Sequence, residues 1–205
     1  MKRTTYLLAT RSHGKLRELR DLFTAHGLDV IDLADAGIPE SPDEESIEAW
    51  ESFEENALAK AQYFHLRSGL PTFADDSGLV VAALGGRPGV RSKRWSGRAD
   101  LSGAALDVAN NDLLHAELRR HGGFPSPAEY VCAAAYADEE RTLVRTGRTS
   151  GVMIDRPLGA GGFGYDPYFR SDELARTFSE ATVAEKRAVS HRGRAFRALL
   201  DALER

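Results

Sequence analysis

Phe73-Ala74-Asp75-Asp76-Ser77-Gly78, running into Leu79-Val80-Val81-Ala82-Ala83-Leu84, is the stretch on which the reading of this chain turns. Pro71-Thr72-Phe73-Ala74 and Leu79 to Leu84 are strand candidates on either side of the acids. Carboxylates are costly to bury unless they are paired or bind a metal. At a strand end facing a cleft, two of them suit a hard, oxygen-liganded cation such as Mg²⁺. One can also orient or deprotonate a water. The competing reading is an ordinary turn, because Asp-Ser-Gly is good chemistry for side-chain-to-backbone hydrogen bonds.

Upstream of this run, Tyr6-Leu7-Leu8-Ala9 reads as a short buried strand, and Thr10 to Lys15 as a polar, glycine-containing turn. Leu16, Leu19, Leu22 and Phe23 recur at helical spacing, and Gly27 is a helix stop. Leu28 to Leu33 forms a second strand candidate. Residues 35–48 are acidic, carry Pro39 and Pro42, and read as a loop. Ser52-Phe53-Glu54-Glu55 has the capping-box pattern of a helix start, and Ala57, Leu58, Ala61 and Phe64 supply its apolar face.

Downstream, Gly85 to Gly89 is a loop and residues 102–120 a helix with Leu106, Leu113, Leu114 and Leu118 on one side. Strands are predicted near 129–137 and 141–148 around Asp138-Glu139-Glu140, with a third over 151–155. Gly159 to Pro167 is a glycine-rich loop. Thr182-Val183-Ala184-Glu185 is a second capping box, opening a helix to about Val189, with another from about Gly193 to Leu203. The order β-α-β-α-β-β-α-β-β-α argues a mixed α/β fold. No repeat, low-complexity linker or composition break divides the 205 residues, which read as one domain.

The bulk composition narrows the function classes. Hydrophobic residues are 42% of the chain, enough for a proper core, and the net charge of −4 lacks the basic footprint of a duplex-DNA binder. A mildly acidic protein can still bind a polyanion in a locally basic cleft. The single cysteine, Cys132, allows no intrachain disulfide and has no second Cys for a zinc site. It sits in Tyr130-Val131-Cys132-Ala133-Ala134 and reads as a small core residue. The segment beginning Met1-Lys2-Arg3 has too short an apolar part for a signal peptide, and nothing approaches a membrane span. The expectation is a cytoplasmic chain.

Four further constellations could carry chemistry. Thr10-Arg11-Ser12-His13-Gly14-Lys15 joins a strand to a helix N-terminus, whose unpaired N–H groups and positive dipole end favour phosphate. Its spacing is not that of a P-loop, and taken alone it reads better as an N-cap at Ser12 beside an exposed lysine. The acidic stretch from Asp43 to Glu48, leading to Glu51, Glu54 and Glu55, could supply a second metal ligand or be a solvated helix start. Phe163-Gly164-Tyr165-Asp166 could bring backbone and an aromatic ring against a base, or anchor aromatics in the core. Lys186, Ser190-His191-Arg192 and Arg194 could hold phosphates or a base carbonyl, or complement a helix dipole. Taken together, they supply the metal, phosphate clamps and base pocket that phosphoryl chemistry needs.

Five segments, in order, resemble the inosine triphosphate pyrophosphatase (XTP/dITP diphosphatase) family. They are Ala9 to Leu19, Ser52 to Ala61, Ala74 to Leu79 continuing through Leu84-Gly85-Gly86-Arg87-Pro88-Gly89-Val90, Gly162 to Pro167, and Glu185-Lys186 with Ser190 to Gly193. The resemblance implies a mixed α/β fold with a long central twisted sheet flanked by helices and two lobes around an active-site cleft. It implies Mg²⁺-dependent hydrolysis of ITP, dITP and XTP to the monophosphate and pyrophosphate, cleansing the nucleotide pool. It further implies a homodimer, acting on free nucleotide rather than nucleic acid polymer, with no membrane attachment.

Carried over by position, Asp76 is the proton acceptor and a metal ligand, with Asp75 beside it and Glu48 as the best-aligned further metal acid. Thr10, Arg11, Ser12, His13, Gly14 and Lys15 hold the triphosphate, and Ser77 contacts substrate. Phe163, Gly164, Tyr165, Asp166, Lys186, His191 and Arg192 surround base and phosphates. Lys15 and Lys186 offset charge on the leaving pyrophosphate, and His191 and Arg192 read the purine 6-carbonyl as donors. Two departures stand out: Thr10-Arg11-Ser12 where the family often has Thr-Gly-Asn, and Arg91 where it has an aromatic. A pyrophosphatase for other modified nucleotides and a non-catalytic nucleotide binder are the alternatives; the presence of both Asp75 and Asp76 argues against the second.

Overall fold

The computed structural model describes residues 4–204, the side chain of Glu45 excepted, so the N-terminal Met1-Lys2-Arg3 lies outside the described residues. The elements are β1 (Thr5–Leu8), α1 (His13–Ala25), β2 (Asp29–Asp32), α2 (Phe53–Ser68), β3 (Thr72–Val81), α3 (Gly103–Arg120), β4 (Ser126–Ala137), β5 (Thr142–Met153), β6 (Phe169–Ser171), α4 (Val183–Val189) and α5 (His191–Leu203), with short 3₁₀ turns at Pro42–Ser46, Ala82–Leu84 and Gly89–Arg94. The strands form a six-stranded mixed sheet in the order β2-β1-β3-β4-β5-β6. β1 pairs in parallel with β2, Thr5 opposite Asp29, and with β3, Leu8 opposite Phe73. β5 pairs antiparallel with β6. The mixed α/β class expected from the sequence is the one observed.

Two compact units emerge. Unit 1 comprises the chain up to Asp76, Cys132–Gly147 and the chain from Arg192; unit 2 comprises Ser77–Val131 and Arg148–His191. In unit 1 both sheet faces are covered, as parallel strands joined by helical crossovers require. Leu8, Phe73, Cys132, Ala134 and Tyr136 pack with Leu19, Leu22 and Phe23 of α1 and Ala195, Phe196 and Leu199 of α5. On the other face Leu7, Ala74, Ala133, Ala135 and Ala137 pack with Ala57, Ala61 and Phe64 of α2. The alternation along β4 is that of a strand buried on both sides, with alanine where helices come close. Phe73 has four aromatic neighbours, Tyr6, Phe23, Tyr136 and Phe196, at 4.7–6.4 Å between ring centroids, so its truncation to alanine should cost about 3–5 kcal/mol.

Unit 2 has its own core: Leu79, Val81 and Leu84, Leu114 and Leu118 of α3, Tyr130, Met153, Tyr165, Phe169 and Phe178. Three expectations are corrected. The acids do not lie in a turn between two strands: β3 runs unbroken through Asp75-Asp76-Ser77-Gly78, because partners on both faces satisfy the carboxylates in an extended backbone. The strands expected at 141–148 and 151–155 are one strand, β5, continuous through Gly151, where a side chain would run into Arg170 and Phe169 of β6. β6 was not anticipated, three residues being too short to show a period. The second capping box is present, with Thr182 and Glu185 each closing on the other's backbone N–H.

Candidate active site

Unit 1 carries the acids. Alternate residues of a strand face opposite sides, so Asp75 shares a face with Phe73, and Asp76 shares the other with Ala74. Adjacent in sequence, they are separated by the strand into different environments. On the first face Asp75 Oδ2 lies 3.0 Å from Lys15 Nζ of α1 and 3.2 Å from Arg192 Nε of α5. Arg192 also donates from its Nη1 to Glu18 Oε2 at 2.6 Å. Burial pushes the Asp75 carboxyl up, but Lys15, Arg192 and Lys60 together outweigh it and hold the group well below the ordinary range. Cys132 lies against the same carboxylate, and burial together with that charge pushes its thiol far up. It is a core residue, as the sequence suggested.

On the second face Asp76 is 6% exposed. Burial raises its pKa, Lys15 and Lys60 pull it down, Glu48 pushes it up, and the net position is above the ordinary aspartate value. Asn56 of α2, fully buried, donates to Asp76 Oδ2 at 3.0 Å and to Trp50 O at 3.1 Å, while its Oδ1 accepts from Trp50 N at 3.0 Å. Lys60, one helical turn on, pairs with Glu48 and donates to the Asp75 carbonyl at 3.0 Å. Burial works against its charge, but Glu48, Asp75 and Asp76 outweigh that and raise its pKa.

The turn from β1 to α1 is built as an N-cap. Ser12 Oγ accepts from Lys15 N, and the first helical turn contains no acid. Thr10, buried, accepts from Ser12 N at 3.2 Å. His13 is exposed and Gly14 half-buried. Arg11 departs from the expected phosphate set: its guanidinium is held by Glu44, Ile38 O and Pro39 O.

Unit 2 holds the glycine loop. Asp166 Oδ2 accepts from Phe163 N at 2.9 Å and from Lys186 Nζ at 2.6 Å, and a side chain at Gly162 would collide with the same carboxylate. Lys186 Nζ also lies 4.9 Å from the Phe163 ring centre and 5.4 Å from that of Phe178. Tyr165 is in the core, its hydroxyl donating to Ser92 O at 2.8 Å. It is therefore Phe163, half-buried, rather than Tyr165 that can present a ring. Asp107 accepts from Gly164 N at 2.8 Å, and Asn111 donates to Gly164 O at 3.0 Å. His191 stacks on Tyr130, centroids 4.5 Å apart and planes 6° from parallel. Ser77 follows Asp76 in β3, half-buried.

Several of the expected site residues pair with one another. Asp75 lies between two cations, Lys15 and Arg192. Arg192 pairs with Asp75 and Glu18. Lys186 and Asp166 pair with each other at the glycine loop. Sequence reasoning missed Asn56, Lys60, Asp107 and Asn111. The available signal was the pair of polar residues at i, i+4 on one helix face, Asn56 and Lys60 on α2, Asp107 and Asn111 on α3.

These features define a mixed α/β protein whose acids and cations suit phosphate chemistry, and comparison with known proteins agrees. The model of the Ham1 family matches residues 6–202. A dITP/XTP pyrophosphatase of Frankia alni is 48% identical over 200 residues, 96% of each chain; another, of Mycolicibacterium paratuberculosis, is 46% identical over 202 residues, 97% of this chain and 95% of that one. Among solved structures, a HAM1 protein from Coxiella burnetii has a TM-score of 0.82 at 31% identity, covering 98% of both chains. A nucleoside-triphosphatase, or dITP/XTP pyrophosphatase, from Mycobacterium abscessus has a TM-score of 0.68 at 41% identity, covering 96% of this chain and 99% of that one. The chain belongs to the Ham1 family.

Proposed function

We propose that this chain hydrolyses deaminated purine nucleoside triphosphates (ITP, dITP and XTP) to the monophosphate and pyrophosphate, with Mg²⁺, removing them from the nucleotide pool. The observation that carries the reading is Asp76: a buried carboxylate with a raised pKa, its orientation fixed by Asn56, with Glu48 close enough to raise that pKa further. The names of the relatives support the substrate class.

The donor set fits magnesium. Among the described residues no group of three or more His, Cys, Asp or Glu is arranged to hold a metal ion. Mg²⁺ is usually held by one or two carboxylates, waters and substrate phosphates rather than by an all-protein cage. Asp76 and Glu48 would hold it, and a cation there relieves their mutual repulsion. When bound, it neutralises charge on the phosphate oxygens and orients them.

Asp76 accepts the proton of the water that attacks the α-phosphorus, its orientation set by Asn56. Lys15 and Lys60 supply fixed positive charge for the pyrophosphate leaving group, and the N–H groups at the start of α1 cradle it. In unit 2, Phe163 stacks on the base and His191 donates to the purine 6-carbonyl. Adenine carries an amino donor at that position, so ATP leaves polar groups unpaired and is rejected. No helix among the described residues is long and apolar enough to cross a membrane. The enzyme of this proposal works in the cytoplasm, as a homodimer.

The test is pyrophosphate release from ITP, dITP, XTP, ATP and GTP with Mg²⁺, then with the metal removed by EDTA. We expect release from the first three, little from ATP, and none without metal. Equal rates on ATP and ITP would refute the base discrimination, and orthophosphate as sole product would refute attack at the α-phosphorus.

A further inference from the structure

We propose that Arg11 is a positioning residue, tying the turn between β1 and α1 to the segment 38–48 and thereby setting where Glu48 stands. The inference rests on the reading of Glu48 and Asp76 as the magnesium acids.

Arg11 makes four hydrogen bonds to that segment. Nη2 donates to Glu44 Oε1 at 2.7 Å and Nε to Oε2 at 3.2 Å, a two-pronged grip on the carboxylate. Nη1 donates to Ile38 O and Nη2 to Pro39 O, both at 3.0 Å. A guanidinium has five N–H donors, so most of its capacity is spent here, and turning it toward a phosphate would break the set. The side chains of Arg11 and Glu44 are 27% and 17% exposed. The pair is sheltered enough to be worth more than a surface salt bridge, and a bidentate grip fixes geometry as well as energy.

The segment needs such a tie. It lies outside the sheet, contains two prolines, and has only one 3₁₀ turn of its own, Pro42–Ser46. Glu44 closes that turn, accepting Ser41 N at 3.2 Å on the same Oε1 that Arg11 grips. The tie is thus continuous: Arg11 to Glu44, Glu44 O to Ile47 N at 3.2 Å, and then Glu48. On its far side Glu48 is met by Lys60, and Trp50 by Asn56. Glu48 therefore stands between two anchors, one from the phosphate turn and one from the helix that orients Asp76. Residues that orient a ligating carboxylate commonly matter for metal affinity.

The experiment compares the parent protein with Arg11→Ala, Arg11→Lys, Glu44→Gln and the exchanged pair Arg11→Glu/Glu44→Arg. Three quantities are read: the Mg²⁺ concentration for half-maximal pyrophosphate release from ITP, Mg²⁺ binding by calorimetry, and amide hydrogen exchange over residues 38–48 in metal-free protein. Arg11→Ala should raise the half-saturating Mg²⁺ on the order of tenfold, with turnover recovering as Mg²⁺ saturates and exchange over 38–48 accelerating. Lysine, which cannot fork, should recover little, and the exchanged pair should recover only part of either effect, because a carboxylate at position 11 cannot donate to Ile38 O or Pro39 O and a guanidinium at position 44 cannot accept from Ser41 N. Parent-like Mg²⁺ dependence overturns the proposal, whether exchange is altered or not. A rise in KM for ITP at saturating Mg²⁺ with the metal dependence unaltered also overturns it, making Arg11 a substrate contact. If the parent itself releases no pyrophosphate, the functional reading fails, while calorimetry and exchange still decide whether Arg11 sets a metal acid.

Discussion

Asp75 and Asp76 are chemically identical neighbours with opposite electrostatic situations. Asp75 is pinned between Lys15 and Arg192 with its pKa held down; Asp76 is buried with its pKa raised. Their asparagine variants should therefore fail differently. Asp75→Asn takes a carboxylate from half-buried Lys15 and from buried Arg192, which keeps Glu18, and breaking one side of a buried pair costs about 3–5 kcal/mol, so thermal unfolding should move down by many degrees. Asp76→Asn removes a carboxylate that burial already disfavours and keeps an oxygen for Asn56. We expect its unfolding temperature to equal or exceed the parent's while pyrophosphate release is lost. Calorimetric scans and a pyrophosphate assay on the same preparations separate the two.

At the scale of elements, the glycine loop is shaped from α3. Asp107 takes the N–H of Gly164, which sits at φ +63°, and Asn111 takes its carbonyl. Removing the acceptor by Asp107→Ala should let Phe163 wander and raise KM for ITP on the order of tenfold, the worth of one charge-assisted hydrogen bond. Asp107→Asn retains an acceptor and should lie nearer the parent. A KM series at saturating Mg²⁺ checks this. The same elements show what was legible in the sequence. Helices α1 to α5 follow from apolar spacing and caps, with Ser12, Ser52 and Thr182 at the N-caps as their positions suggest. The acids were legible as a site but not as strand: period-2 logic needs to know what lies on each face, and the partners of Asp75 come from α1 and α5, residues 15 and 192. That Lys186 closes on Asp166 was not legible, because sequence does not reveal a pairing across 20 residues.

At the scale of the whole molecule, one histidine should mark the acid side of stability. His115 of α3 is buried between the rings of Phe124 and Tyr168, 4.9 and 4.3 Å away. Burial, followed by the charge of Arg119, lowers its pKa, against weaker pulls upward from Asp155 and Asp112. A histidine whose folded pKa lies below its unfolded value of about 6.5 binds its proton more readily when unfolded. Its contribution is complete above that value and is lost as pH falls through it toward the folded pKa. His115→Phe fills the same aromatic niche without the titration. The variant should lose less stability than the parent between pH 7.5 and 5.5, as read from urea midpoints at the two pH values. An equal loss would assign the acid sensitivity elsewhere.

The path of the chain through its two units has a consequence for heredity. It passes from one to the other four times: at 76/77 within β3, 131/132 within β4, 147/148 within β5, and 191/192 at the start of α5. Neither unit is a contiguous stretch of sequence. No recombination event with two breakpoints can lift out the whole of unit 1 without taking unit 2 with it, nor carry unit 2 away without residues 132–147. A gene segment encoding either whole unit alone is therefore never one uninterrupted piece of this gene.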